Sequence, residues 1–270
     1  ILSGLVGSEM CIRDRNINEP DKANGETILY KLVRKGTPEM VAYAFGKGAR
    51  IDMQNMQGVS LLHTAVQQGR EDMCTFLIDN GVDLEAKTRE GSTALHLAVD
   101  GGNLTLAKLL LDRGADVLAK DTARDTPLHL AYAKSDHKMV DLLLERGADL
   151  SLKDRDGLTP LHVAAKTGDV ELAQKCVDAK VDLEALDKDH LTPLYTAVVE
   201  AHDGVANLLL DHGADYNAMD RDKRTVFFAA LAHERKAIAH RLKDMGVDLN
   251  HLDKDEQTPL FAALEASDKE

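Results

Sequence analysis

Apolar residues return along this chain in two alternating patterns. In the first, Leu95, Ala98 and Val99 fall at helical spacing on one face of a short segment. In the second, residues 104–113, LTLAKLLLDR, carry a longer apolar stripe, and its Leu110-Leu111 pair returns as Leu77-Ile78, Leu143-Leu144, Cys176-Val177 and Leu209-Leu210. Polar punctuation separates the two. Thr-Pro opens the first helix, with Pro at 127, 160, 193 and 259; Thr caps orphan amides, and Pro fits the first helical position because its missing N–H costs nothing there. Gly36, Gly69, Gly102 and Gly168 mark the turn between the helices, where a positive φ favours glycine. Gly114 ends the second helix in the manner of a C′ glycine. Residues 115–125, ADVLAKDTARD, then run out as a polar hairpin or finger.

The pattern is periodic. Thr27, Ser60, Thr93, Thr126, Thr159, Thr192, Thr225 and Thr258 are each 33 residues apart, without an insertion. Three residues after each come Tyr30, His63, His96, His129, His162, Tyr195, Phe228 and Phe261. Five after come Leu32, then Ala65, Ala98, Ala131, Ala164, Ala197, Ala230 and Ala263. Twenty-one after come Gly48, Gly81, Gly114, Gly147, Lys180, Gly213 and Gly246. A fixed period of this size means stacked supersecondary units. No single unit buries both faces of its helices, so neighbours must stack. The predicted fold is all-α, a solenoid of helix-turn-helix units with β-hairpin or finger loops.

Residues 91–117, GSTALHLAV…LLLDRGADV, and 157–173, GLTPLHVAAKTGDVELA, resemble ankyrin repeats. The resemblance covers residues 25–270: seven full repeats starting near 25, 58, 91, 124, 157, 190 and 223, and a partial eighth from 256. More narrowly, residues 17–63, which open INEPDKANGETILYKLVRKG, and residues 60–99 are similar to the ankyrin region of rabankyrin-type endosomal trafficking proteins. Residues 16–24 read as a linker or the end of an upstream repeat. ILSGLVGSEMCIRDR (1–15) shares no pattern with the rest and resembles adapter read-through; a disordered natural N-terminus is the alternative. Such a segment contributes nothing to the expected fold.

Composition narrows the function. Aromatics make up only 4% and Trp is absent, which suits a core of small and aliphatic side chains in stacked helices. The net charge of −13 argues against nucleic acid as a partner. Cys11, Cys74 and Cys176 are too scattered for a CxxC motif or a disulfide framework, in keeping with a reducing, cytoplasmic compartment; the narrower resemblance would add the cytosolic face of endosomes. No apolar run approaches a membrane span.

His63, His96, His129 and His162 invite a metal or acid–base reading, which geometry opposes. Equivalent atoms of adjacent repeats lie about 8–10 Å apart, whereas zinc needs nitrogens at about 2.0–2.1 Å. Tyr and Phe fill the same slot in other repeats, and Phe ligates nothing. The slot asks for a flat ring, to which imidazole adds a hydrogen bond to a neighbouring Thr or backbone group. Cys74 and Cys176 occupy core positions. HERKAIAH (233–240) places Ala237 where an H-E-x-x-H motif needs its second His. In DRDG (154–157) the Gly comes too early for a calcium loop. No catalytic constellation, cofactor or metal is expected.

If the repeated positions are scaffold, function sits where repeats differ. One variable set ends the first helices: Gln67, Gln68, Asp100, Lys134, Lys166, Glu200 and His233. The other flanks the finger tips: Arg89, Glu90, Arg155, Asp156, Leu158, Lys188, Asp189, Leu191, Arg221 and Asp222. The resemblance implies that both sets line a concave groove that binds another protein. Leu158 and Leu191, apolar neighbours in one slot between Asp125 and Arg224, read either as an exposed contact centre or as a pair packed on each other. The expected function is a monomeric, non-catalytic scaffold or adaptor. The alternative is the regulatory or targeting arm of a larger enzyme, channel or trafficking protein, since the eighth repeat stops at Glu270 after its first helix, as a fragment would. A third reading is a modification substrate: ankyrin asparagines in an L-x₇-N frame are hydroxylated, and Leu209…Asn217 and Leu242…Asn250 fit. Lys180, in a slot otherwise held by glycine, marks the weakest repeat boundary and a candidate hinge; Arg50 breaks the Gly-Ala-Asp turn of the first repeat.

Overall fold

The computed structural model describes residues 16–261 and residue 264. The expectations for residues 1–15, Cys11 among them, and for Ala263 and the last residues lie outside these. Among the described residues, fourteen α-helices follow one another in pairs: α1 (Ile28–Lys35) and α2 (Pro38–Gly46), α3 (Leu61–Gln67) and α4 (Glu71–Asp79), α5 (Ala94–Asp100) and α6 (Leu104–Asp112), α7 (Pro127–Ala133) and α8 (His137–Glu145), α9 (Pro160–Thr167) and α10 (Val170–Asp178), α11 (Pro193–Val199) and α12 (Asp203–Asp211), α13 (Val226–Ala232) and α14 (Lys236–Asp244). The first helices of these pairs start 33 residues apart, the spacing of the sequence period.

Among the described residues the chain forms two compact units, one running to Ala131 together with Lys138–Ala148, the other made of Tyr132–His137 and the residues from Asp149 on. In the first, α1, α3 and α5 pack side by side and α2, α4 and α6 pack behind them. In the second, α9, α11 and α13 form one row and α10, α12 and α14 the other. Helices of seven to nine residues are unstable alone in water; stacking stabilises them by covering their apolar faces. The alanine slot shows how closely. Ala65, Ala98, Ala131, Ala164, Ala197 and Ala230 are each at most 1% exposed, and a methyl there lets neighbouring first helices approach.

Local chemistry fixes the helix starts. The hydroxyl oxygens of Ser60, Thr159 and Thr192 accept the N–H three residues on, at 3.3, 3.4 and 3.3 Å. Asn103 and Asp169 cap the second helices by accepting from Leu106 and Leu172, both at 3.0 Å. Where that slot holds Arg70 or His202, the side chain instead donates backward to the preceding first helix's end, Arg70 to the carbonyls of Val33 and Gly36 and His202 to that of Lys166.

Of the two forms the sequence allowed, hairpin or finger, the described segments are turns. Among the described residues the one bridge is Met219 with Thr225. Successive fingers share a single N–H···O=C bond between tips: Arg89 to Gln57 at 2.8 Å, Thr122 to Glu90 at 2.9 Å, Lys188 to Asp156 at 2.8 Å, Lys254 to Asp222 at 2.9 Å. One rung makes no ladder. Side-chain oxygens shape the tips instead, an amide at Asn55, a hydroxyl at Thr88 and carboxylates at others. Asp187 Oδ1 accepts the N–H groups of Asp189 and Leu191, and Asp121, Asp220 and Asp253 repeat the device; such Asx turns give the backbone an alternative to strand pairing.

Lys180 takes the left-handed conformation of the glycines it replaces, φ 56°, and lies inside the second unit, whereas the two units divide within the fourth repeat. Lys180→Gly is expected to stabilise the second unit by about 1 kcal/mol by relieving the Cβ clash. Urea unfolding of both proteins checks this; no gain would mean the strain is absorbed elsewhere.

Candidate partner-binding surface

The four slot histidines are built into the scaffold. In unit one, Ser60 N–H donates to His63 Nδ1 at 3.1 Å, and His63 Nε2 lies 3.0 Å from the Ser92 carbonyl. His96 repeats this with Thr93 and with Asp125 O at 3.1 Å, and His129 Nδ1 meets Thr126 N at 3.2 Å. In unit two, His162 Nδ1 accepts from Thr159 N–H at 3.2 Å and from its hydroxyl at 2.8 Å, while Nε2 reaches Leu191 O at 3.1 Å. A carbonyl can only accept, so Nε2 carries the proton and Nδ1 is the acceptor. The rings of His63, His96 and His162 therefore clamp their own helix starts to the fingers that follow. Burial pushes the pKa of His63, His96 and His162 below the ordinary histidine value, against the opposing pull of the finger carbonyls. Where the slot holds tyrosine, the hydroxyl does the reaching: Tyr30 donates to Val59 O at 2.6 Å and Tyr195 to Asp220 Oδ2 at 2.8 Å. Phe228 makes an edge-on contact with His251 instead.

Cys74 and Cys176 are buried, and burial pushes both thiols up to about 12, so neither is a thiolate at neutral pH. Among the described residues no three His, Cys, Asp or Glu side chains group as a metal site, and no helix is long and apolar enough to cross a membrane.

The variable positions are mostly at the surface. In unit one, Gln67, Gln68 and Asp100 stand exposed at the ends of α3 and α5, and Arg89 and Glu90 at a finger tip. In unit two, Lys134, Lys166, Glu200 and His233 occupy the first-helix ends, and Arg155, Asp156, Lys188, Asp189 and Arg221 the finger tips, all exposed; Asp222 is half-buried. Much of the fingertip charge is spent between fingers. Lys188 pairs with Asp156 at 2.9 Å, Lys254 with Asp222 at 3.4 Å, and Arg221 donates to the Lys188 carbonyl.

Leu158 and Leu191 are not the exposed pair suggested as one reading. Both are half-buried, and their N–H groups are tied to Asp154 and Asp187 at 2.8 and 2.9 Å. The finger's exposed apolar row lies elsewhere in the second unit: Leu186, Met219 and Leu252 are 41%, 47% and 49% exposed in equivalent slots. The signal was in the sequence, because the same slot holds Lys87, Lys120 and Lys153 in earlier repeats.

Paired helices with buried repeated positions and solvent-facing variable ones define a repeat protein whose accessible differences lie at helix ends and fingers. A family model described as ankyrin repeats, in three copies, matches residues 5–88, 80–154 and 128–220. The chain belongs to the ankyrin repeat family. The helix pair α13 and α14 continues the same frame beyond the matched residues. No curated protein matches the chain, and the narrower rabankyrin-type resemblance is not confirmed.

Proposed function

We propose that this chain is a non-catalytic scaffold or adaptor that binds a partner protein through its first-helix ends and finger loops. Ankyrin repeats generally mediate protein–protein interaction. The observation that carries the reading is the division of burial: Thr159, His162 and Ala164 are at most 4% exposed, whereas Lys166, at the end of the same helix, is exposed, and the same holds repeat after repeat. The interior is spent on stacking, and recognition is left to the positions that differ. In unit two the apolar side chains of Leu186, Met219 and Leu252 add desolvable area beside the charges, the composition of a contact centre with a polar rim.

The test is a cross-linking and pull-down comparison of the wild-type protein with a variant carrying Lys166→Glu, Glu200→Lys and Met219→Asp, all surface changes. Partners captured by the wild type are expected to bind the variant at least about tenfold more weakly, about 1.4 kcal/mol, at unchanged melting temperature. Retention of every partner, by this variant and by a matching one at Gln68, Arg89 and Asp100, overturns the reading.

A further inference from the structure

The rings that clamp helix to finger are not alike, and the difference has a chemical consequence. Finger 88–92 is held by His63, finger 121–125 by His96 and finger 187–191 by His162, each through both ring nitrogens. Finger 220–224 is held by Tyr195, whose hydroxyl donates to Asp220, and by His251, whose Nε2 donates to the Lys223 carbonyl at 2.9 Å, a bond that a protonated ring also makes. A neutral imidazole can accept at Nδ1 while donating at Nε2; an imidazolium cannot. Proton uptake would set Nδ1–H against the N–H of Ser60, Thr93 or Thr159, and would place a charge on rings that are at most 1% exposed. The tyrosine clamp has no such step, since burial and the Asp220 carboxylate drive its hydroxyl well above the ordinary tyrosine range and keep it protonated.

We propose that His63, His96 and His162 make the fingers acid-releasable one by one: protonation of an opened ring frees fingers 88–92, 121–125 and 187–191 from their first helices, while finger 220–224 stays clamped. His63 faces Asp83 and His96; His96 faces Asp121 and Lys87; His162 faces Asp187, Asp154 and Lys153. The carboxylates favour the charged ring and the lysines oppose it, but burial is the largest influence in all three. The direction follows. A ring whose proton affinity is lower closed than open holds the finger fully above about pH 6.5, and its hold is lost as pH falls below that. The finger tips so released carry Arg89 with Glu90 and Lys188 with Asp189; Arg221 and Asp222 remain in place. Loss of a partner held by the first two pairs rests on the binding reading above, whereas the release itself does not.

Native-state hydrogen exchange on the full chain, corrected for intrinsic rates, tests the release without any partner. Between about pH 7.5 and about pH 5.5, one proton taken up on opening lowers protection about tenfold. The Thr159 amide, which bonds the ring, and the Asp187 and His190 amides of its finger are expected to lose that factor, as are the Ser60 and Thr93 amides. The Asp220 and Lys223 amides of the tyrosine-clamped finger are expected to hold theirs. His162→Tyr, which borrows the reach shown by Tyr30, is expected to abolish the pH dependence at 187–191 while leaving it at 88–92. Equal loss at 187–191 and 220–224, no loss at either, or undiminished pH dependence in His162→Tyr overturns the proposal. Should that variant not fold, the wild-type contrast between the two fingers decides by itself.

Discussion

Replacing His162 with alanine is expected to cost the second unit about 3–5 kcal/mol at neutral pH, read as a shift in the urea midpoint at unchanged slope. Three losses add. The ring is 0% exposed, so its removal leaves a cavity where packing cannot fully close. The Thr159 N–H loses its acceptor and the Leu191 carbonyl its donor, and each buried orphan costs about 1–3 kcal/mol when it cannot find water. Partial collapse and solvent entry keep the total below the sum. His162→Phe separates the terms, because it keeps the ring and removes the bonds; it is expected to fall between wild type and alanine. A cost under about 1 kcal/mol for the alanine variant would show that the ring is not a clamp.

The second large effect is expected at Gly91. Its φ of +79° is left-handed, and a Cβ there would lie 2.8 Å from the Thr122 nitrogen and 3.0 Å from the Asp121 carbonyl carbon. Both are backbone atoms of the next finger, and the Thr122 N–H is bonded to Glu90 O at 2.9 Å, so neither can yield without breaking the finger contact. Gly91→Val combines left-handed strain of about 1–2 kcal/mol with that collision, for a loss of about 3 kcal/mol or more in the first unit. Gly114 is the control. Its φ is +93°, but an added Cβ would meet nothing within 4 Å, so Gly114→Val bears the strain alone. Thermal melts of the two variants check this: equal losses would mean that finger contact at Gly91 contributes nothing.

The repeat frame was legible because stacking demands the same side chain at the same place each time. The period placed every helix pair, and substitution of Tyr and Phe into the histidine slot already marked that ring as scaffold. What the sequence hid were relations in which different residues perform one task or one residue type performs several. Asp121, Asp187, Asp220 and Asp253 resemble surface charge, yet each folds a turn through one oxygen; only their register with the period distinguishes them from Asp189 or Asp222. Arg124, His190, Lys223 and Glu256 sit in left-handed positions that Gly91 and Gly157 fill elsewhere, and nothing in those side chains announces it. Leu158 and Leu191 could be seen as neighbours, but not that a turn would fold over them. The proposed binding surface was readable only by subtraction, as the positions the scaffold does not need.

The bonds tying repeat to repeat reach only short distances along the chain: 29 residues from each clamping histidine to its carbonyl, 37 from Arg70 to Val33. Loops of such similar size close at similar entropic cost, and each donor meets an acceptor supplied by the adjoining block. Excising residues 58–90 would join Gln57 to Gly91 and hand Thr93 the place that Ser60 held, with the same carbonyls waiting. Overall length is thus a loosely held trait of this architecture, open to gain or loss by whole modules through duplication and recombination, while a frameshift of even one amino acid inside a module would misalign every tie downstream within it.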